Sequence, residues 1–130
     1  MLFVMLSVIA FLLTARSPSR AARVRLNEAD SGRTLELHLA DRLDVVLEGN
    51  PTTGYRWELV TVDKSILKPT GASGKPDYKP DSSALGAGGK FTFTFEAATA
   101  GQTKLQLIYH RSFEKGVPPV KTFEATVVVR

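Results

Sequence analysis

The chain of 130 residues carries two histidines, His38 and His110, and no cysteine. Without a thiol there is no cysteine nucleophile, no disulfide, no iron–sulfur cluster and no cysteine-linked lipid anchor. A Ser-His-Asp arrangement needs a buried, oriented imidazole. His38 falls on the polar side of an alternating stretch, and His110 is a lone histidine beside Arg111 at a strand end. Carboxylate pairs of the kind that hydrolyse glycosides are available by proximity only, at Asp44/Glu48 and Asp77/Asp81, and all four read as solvated surface groups. Two histidines leave little for a zinc site, and no glycine-rich phosphate loop follows a strand and opens a helix. The residue types therefore argue against an enzyme and call for no metal or cofactor.

One short segment has the chemistry of a binding loop. In Asn50-Pro51-Thr52-Thr53-Gly54-Tyr55 the Asn can cap a turn through its side chain, Pro fixes φ, and Gly permits a positive φ. Thr52 and Thr53 at its tip are short, stiff and polar, so immobilising them on a partner costs little entropy. The same residues would also serve as an ordinary turn between two strands.

The elements around this loop read as β-strands, from apolar residues at every second position. Leu35, Leu37 and Leu39 form one such row, Leu43, Val45 and Leu47 a second, and Tyr55, Trp57 and Leu59 a third. Phe91, Phe93 and Phe95, then Leu105, Leu107 and Tyr109, continue the pattern, and Phe123–Val129 is rich in β-branched residues. Shorter strands are expected at Val24–Asn27 and Ile66–Lys68. Turn-forming residues separate the runs, and no window keeps a helical period over three turns. Seven or eight short strands in one domain predict an all-β sandwich or barrel, with Trp57, the single tryptophan, as a core anchor. The stretch from Thr70 to Gly89, with five Gly and two Pro, reads instead as a long loop that presents something, with Tyr78 and Leu85 available to pin it to the body.

From Leu2 to Leu13 only Ser7 interrupts an apolar run. A bilayer span needs about 17–25 residues, whereas the apolar part of a secretory signal takes about 7–15. Residues 1–21 are thus expected to be a signal peptide and 22–130 the exported domain, the competing reading being a buried first helix or strand. Arg16 and Arg20 would leave with the signal, which lowers the formal net charge of +4 by two. No run of Lys and Arg interleaves with aromatics, so nucleic acid is not an expected partner.

Taken in order, the loops resemble those of the chagasin family, secreted inhibitors of papain-like cysteine proteases. The family's first motif, Asn-Pro-Thr-Thr-Gly followed by an aromatic, is met in full by Asn50, Pro51, Thr52, Thr53, Gly54 and Tyr55. Its second, a Gly-x-Gly-Gly stretch, is met by Gly86, Ala87, Gly88 and Gly89 after Pro80-Asp81-Ser82-Ser83. Its third, Arg-Pro-aromatic at a strand end, corresponds to Arg111, Ser112 and Phe113, with Ser in place of the usual Pro and Phe where Trp is common. The resemblance spans about 23–130 and implies an immunoglobulin-like β-sandwich of seven or eight strands. It implies a monomeric inhibitor, periplasmic or secreted and free of the membrane after signal cleavage. Three loops at one end of such a sandwich would block a protease cleft reversibly, without a covalent step. Thr52 and Thr53 would hydrogen-bond near the catalytic centre, the Gly86–Gly89 backbone would lie along the non-primed side, and Phe113 would pack on an aromatic wall with Arg111 in support. The Ser112 departure keeps open a rival reading, an immunoglobulin-like binding or adhesion module without inhibitory activity.

Overall fold

The computed structural model describes residues 21–71 and 74–130; the expected signal peptide falls, but for residue 21, outside them. Nine strands are formed among the described residues: β1 (Arg23–Asn27), β2 (Thr34–Leu37), β3 (Arg42–Gly49), β4 (Arg56–Thr61), β5 (Leu67–Pro69), β6 (Asp77–Pro80), β7 (Gly89–Ala97), β8 (Gly101–His110) and β9 (Lys121–Val129). One sheet has the order β1-β3-β7-β5, with β6 also on β7; the other has the order β2-β9-β8-β4. Of the sandwich or barrel expected from the alternation, the chain adopts the sandwich, in the immunoglobulin-like form that the family resemblance implies.

Alternation builds the core directly. Leu43, Val45 and Leu47 of β3 stand opposite Phe95, Phe93 and Phe91 of β7, and all six are buried. From the facing sheet come Leu105, Leu107 and Tyr109 of β8, Phe123, Ala125, Val127 and Val129 of β9, and Trp57 of β4, which is 3% exposed. Burying a large apolar side chain contributes about 1.5–3 kcal/mol, so these rows dominate the stability of the domain. The first strands are divided between the sheets. β1 pairs parallel with β3, and β2 pairs parallel with β9. The change of sheet occurs at a 3-10 turn, Glu28–Asp30, where Asn27 Oδ1 accepts from Ala29 N–H and Asp30 Oδ2 accepts from Asn27 N–H.

Four expectations need correction. The strand count is nine, because β6 forms inside the stretch read as a long loop; Asp-Tyr-Lys-Pro offers one apolar residue and no alternation. Its Tyr78 ring lies 4.8 Å from Phe91, and Pro80 is tolerated because β6 is an edge strand. Leu39 does not continue the row of Leu35 and Leu37. β2 ends at Leu37, the backbone reverses through Ala40 with a φ of 71°, and Leu39 is 52% exposed. Leu85 pins nothing, since its side chain is fully exposed. Asp44 is not solvated: it is buried, accepting from Arg23 Nε at 2.6 Å and from Thr94 Oγ1 at 2.9 Å. Asp44 and Glu48 lie four residues apart along β3, roughly 13 Å, too far for a catalytic pair. Asp81 instead pairs with Lys90 Nζ at 2.8 Å.

Candidate functional site

The strand ends bring the three loops of the sequence motifs together. The first joins β3 to β4. Pro51–Thr53 forms a 3-10 turn with Asn50 as its N-cap, and Gly54 ends it with a φ of 85°, a conformation costly for any other residue. Asn50 Oδ1 accepts from Thr52 N–H at 3.1 Å and from Thr52 Oγ1–H at 2.5 Å, while Thr53 Oγ1 donates to the Asn50 carbonyl at 2.6 Å. Both threonine hydroxyl protons are therefore committed inside the loop. What the tip offers outward is hydroxyl acceptor capacity, methyl groups and backbone.

Asn50 also ties this loop to its neighbours. Its Nδ2 donates to the Gly86 carbonyl at 2.9 Å, and its backbone N–H donates to the Tyr109 hydroxyl at 2.8 Å. Gly86 sits at the turn of the second loop, between β6 and β7, with a φ of 75°. That loop is closed by Asp81 N–H donating to the Gly88 carbonyl at 3.0 Å. At its base Gly89 is buried where a Cβ would drive into the Lys79 carbonyl and the Tyr78 hydroxyl, so the spacing of the glycines is set by packing as well as by access.

The third loop leaves β8 at His110. Glu114 N–H donates to the Arg111 carbonyl at 3.1 Å, which makes Arg111–Glu114 a four-residue turn with Ser112 at its second position and Phe113 at its third. Arg111 reaches back to the first loop. Its Nε donates to the Thr53 carbonyl at 3.0 Å, its guanidinium lies 4.3 Å from the Tyr55 ring centroid, and its Nη1 donates to Glu114 at 2.9 Å. Bonding to Glu114 raises the Arg111 pKa further, so the cation is permanent. Phe113 is 70% exposed, and a Cβ on Gly54 would lie 3.2 Å from its ring. The ring stands at the rim of the first loop and is not part of the core.

The structure thus brings together Asn50, Thr53, Gly54, Tyr55, Gly86, Arg111 and Phe113. Pro51 and Thr52 are at the exposed tip, Ala87 and Gly88 follow Gly86, and Ser112 is exposed beside Phe113. Three participants escape a reading of motifs. Tyr109 supplies the hydroxyl for Asn50 and reads from its alternation as plain core. Glu114 orients Arg111. Leu85, fully exposed next to Gly86, stands among Ser, Ala and Gly, and a single large apolar residue in such company is the signal that marks it. His110 Nε2 is 2.5 Å from Glu58 Oε2, a cross-strand pair between β8 and β4.

A sequence model described as chagasin family peptidase inhibitor I42 matches residues 36–127 and so takes in all three loops. Chagasin of Trypanosoma cruzi is 31% identical over 88 residues, 67% of this chain and 80% of that protein. Amoebiasin-1 of Entamoeba histolytica is 29% identical over 89 residues, 66% of this chain and 80% of that protein. Among solved structures, a cysteine protease inhibitor from Entamoeba histolytica superposes with a TM-score of 0.76 at 24% identity, covering 85% of this chain and 98% of that one.

Proposed function

The chain belongs to the chagasin family of peptidase inhibitors, and we propose that it acts by reversible, non-covalent occlusion of the active-site cleft of a papain-like cysteine protease. It is an inhibitor and not an enzyme, in keeping with its family. The observation that carries the mechanism is the set of tethers from Asn50 to Gly86 and from Arg111 to Thr53. They make one wedge of three loops before any partner arrives. Ordering a side chain on binding costs about 0.5–1.5 kcal/mol, and a wedge already ordered avoids most of that cost.

The first loop has the right shape to block and the wrong shape to be cut. Gly54 N–H donates to the Pro51 carbonyl at 3.0 Å and Thr53 N–H to the Asn50 carbonyl at 3.2 Å. Peptide bonds folded into such a turn are not offered as an extended strand to a catalytic thiolate. Pro51, Thr52, Thr53 and Gly54 would cover the catalytic centre, Gly86, Ala87, Gly88 and Gly89 with Leu85 would follow the cleft on one side, and Phe113 beside Ser112 would anchor the other. Asn50, Tyr55 and Arg111 hold these contacts in place. Action in the periplasm or after secretion is part of the same proposal, supported by the apolar run from Leu2 to Leu13.

Titration of the purified domain against papain and a cathepsin-L-type enzyme tests this. The expected result is saturable inhibition, reversed on dilution, with inhibitor of unchanged mass after long incubation. Binding without inhibition, or cleavage between Asn50 and Tyr55, would overturn it.

A further inference from the structure

The tip of the first loop has no hydrogen-bond donor left to give. Pro51 has no N–H. Thr52 N–H donates to Asn50 Oδ1 at 3.1 Å, Thr53 N–H to the Asn50 carbonyl at 3.2 Å, and Gly54 N–H to the Pro51 carbonyl at 3.0 Å. The two hydroxyl protons are spent in the same way, from Thr52 Oγ1 on Asn50 Oδ1 and from Thr53 Oγ1 on the Asn50 carbonyl. Neither direction can be reversed, because both acceptors are carbonyl oxygens. The Asn50 amide itself is held in this orientation by the Thr52 N–H at Oδ1 and the Gly86 carbonyl at Nδ2. Thr52 and Thr53 are nonetheless exposed. A hydroxyl oxygen that has donated its proton keeps its lone pairs, and a carbonyl oxygen has two. From Pro51 to Gly54 the polar surface is therefore made of acceptors alone, with methyl groups between them.

We infer that this tip selects for a hydrogen-bond donor in the cleft it enters, and so for the imidazolium form of the protease's catalytic histidine; the inference rests on the occlusion reading above. In papain-like enzymes the catalytic thiol is ionised well below neutral pH beside that histidine. The pair thus holds a cation with an N–H on both ring nitrogens and an anion that only accepts. An acceptor tip bonds to the first and faces the second with methyl groups. Neutral imidazole has one N–H and one bare nitrogen, so it meets the tip with a donor in one tautomer only. The charged groups on the elements that carry and flank the tip are Glu48 of β3, Arg56 of β4, Arg111 paired with Glu114 in the third loop, and Asp81 paired with Lys90 beside the second. Of this chain's two histidines, His38 lies between β2 and β3, at the far end of β3 from the wedge, and His110 stands at the base of the third loop, paired with Glu58.

Papain with its catalytic cysteine replaced by alanine isolates this preference, because its catalytic histidine then titrates near the ordinary value of about 6.5. A hydrogen bond to a charged donor is stronger than one to a neutral donor by roughly a factor of ten in affinity. Binding then raises the histidine pKa by about one unit, so affinity is full below about pH 6.5 and falls about tenfold as pH rises through about 7.5. Isothermal titration calorimetry in buffers of different ionisation enthalpy should show uptake of about half a proton per complex at pH 7. The uptake should persist with the His110→Gln inhibitor and vanish with papain that also lacks its catalytic histidine. No uptake, or proton release, would overturn the inference. So would uptake in the absence of the papain histidine, or its loss in the His110→Gln inhibitor. Failure of the occlusion reading shows separately, as a lack of inhibition of unaltered papain.

Discussion

The Asn50 carboxamide works from both ends, and Asn50→Asp separates the two roles. Oδ1 accepts from Thr52 N–H and Thr52 Oγ1–H, which closes the first loop; Nδ2 donates to the Gly86 carbonyl at 2.9 Å, which ties that loop to the second. Asp keeps the acceptor and caps a turn as well as Asn. It replaces the donor with an oxygen facing the Gly86 carbonyl. An exposed hydrogen bond contributes about 0.5–1.5 kcal/mol, and two facing acceptors repel, so the coupling between the loops falls by about 1–2 kcal/mol. If that coupling is what presents both loops together, the inhibition constant for papain rises by about 5- to 30-fold. Both groups can be rehydrated at the surface, so the thermal midpoint should fall by less than about 4 °C. Asn50→Ala loses the cap as well, at a further cost of about 0.5–2 kcal/mol, and should inhibit more weakly still. An Asp variant that inhibits within twofold of the parent would refute the idea that the Gly86 tether organises the wedge. Equal losses in the Asp and Ala variants would refute the separate role of the cap.

Phe113→Ala should weaken protease binding at least about tenfold, because exposed aromatic anchors commonly contribute 2 kcal/mol or more once buried by a partner; with the ring 70% exposed, differential scanning calorimetry should show almost no change in midpoint. Ser112→Pro places proline at the second position of the Arg111–Glu114 turn, where its fixed φ is favoured, and should stabilise by about 0.4–1 kcal/mol in denaturant titrations, with modestly tighter inhibition. Trp57→Ala should cost about 3–5 kcal/mol through a core cavity, and any inhibition lost should track the unfolded fraction measured on the same sample. Hydrogen bonds from His38 N–H and Ala22 N–H outweigh burial and hold the Asp41 carboxyl below the usual aspartate range. A lowered folded pKa means a contribution complete above the unfolded value of about 3.9 and lost as pH falls through the folded one. Denaturant midpoints should therefore drop below about pH 4, and Asp41→Asn should flatten that drop.

How much of this was legible in the sequence depends on the kind of information involved. Rows such as Phe91, Phe93 and Phe95 are read correctly because a buried sheet face imposes a period of two whatever the rest of the chain does. β6 escapes because its pairing is imposed by β7: Asp77–Pro80 carries one apolar side chain, and its partner is found only when the sheet is assembled. Leu39 misleads for the converse reason, since the apolar alternation runs on past the end of β2 at Leu37 and into the turn through Ala40. Asp44 looks like a surface acid until Arg23 from β1 and Thr94 from β7 are laid on either side of β3. The site shows the same division. Asn50 as a cap and Gly54 at a positive φ are local matters and can be read from six residues. The bonds from Asn50 to Gly86 and from Arg111 to Thr53 join positions 36 and 58 residues apart, and no local rule predicts them.

What makes three surface loops behave as one surface is a stack that runs outward from the core. The Trp57 ring, almost fully buried and donating through Nε1 to the Glu48 carbonyl at 3.0 Å, lies 5.2 Å from the Tyr109 ring. Tyr109 lies 5.3 Å from Tyr55, and the Arg111 guanidinium lies 4.3 Å from Tyr55. Each step hands a rigid contact to a more exposed one. The last member, Arg111, holds the Thr53 carbonyl, while the Tyr109 hydroxyl holds the Asn50 N–H. Loop-tip contacts exposed to water contribute little stability of their own, but here their geometry is inherited from side chains that cannot move without opening a cavity. Stability therefore resides in the facing sheets, whereas the proposed mechanism places recognition in side chains and backbone at the tips. The stack connects the two, so the wedge has its shape set before any partner arrives.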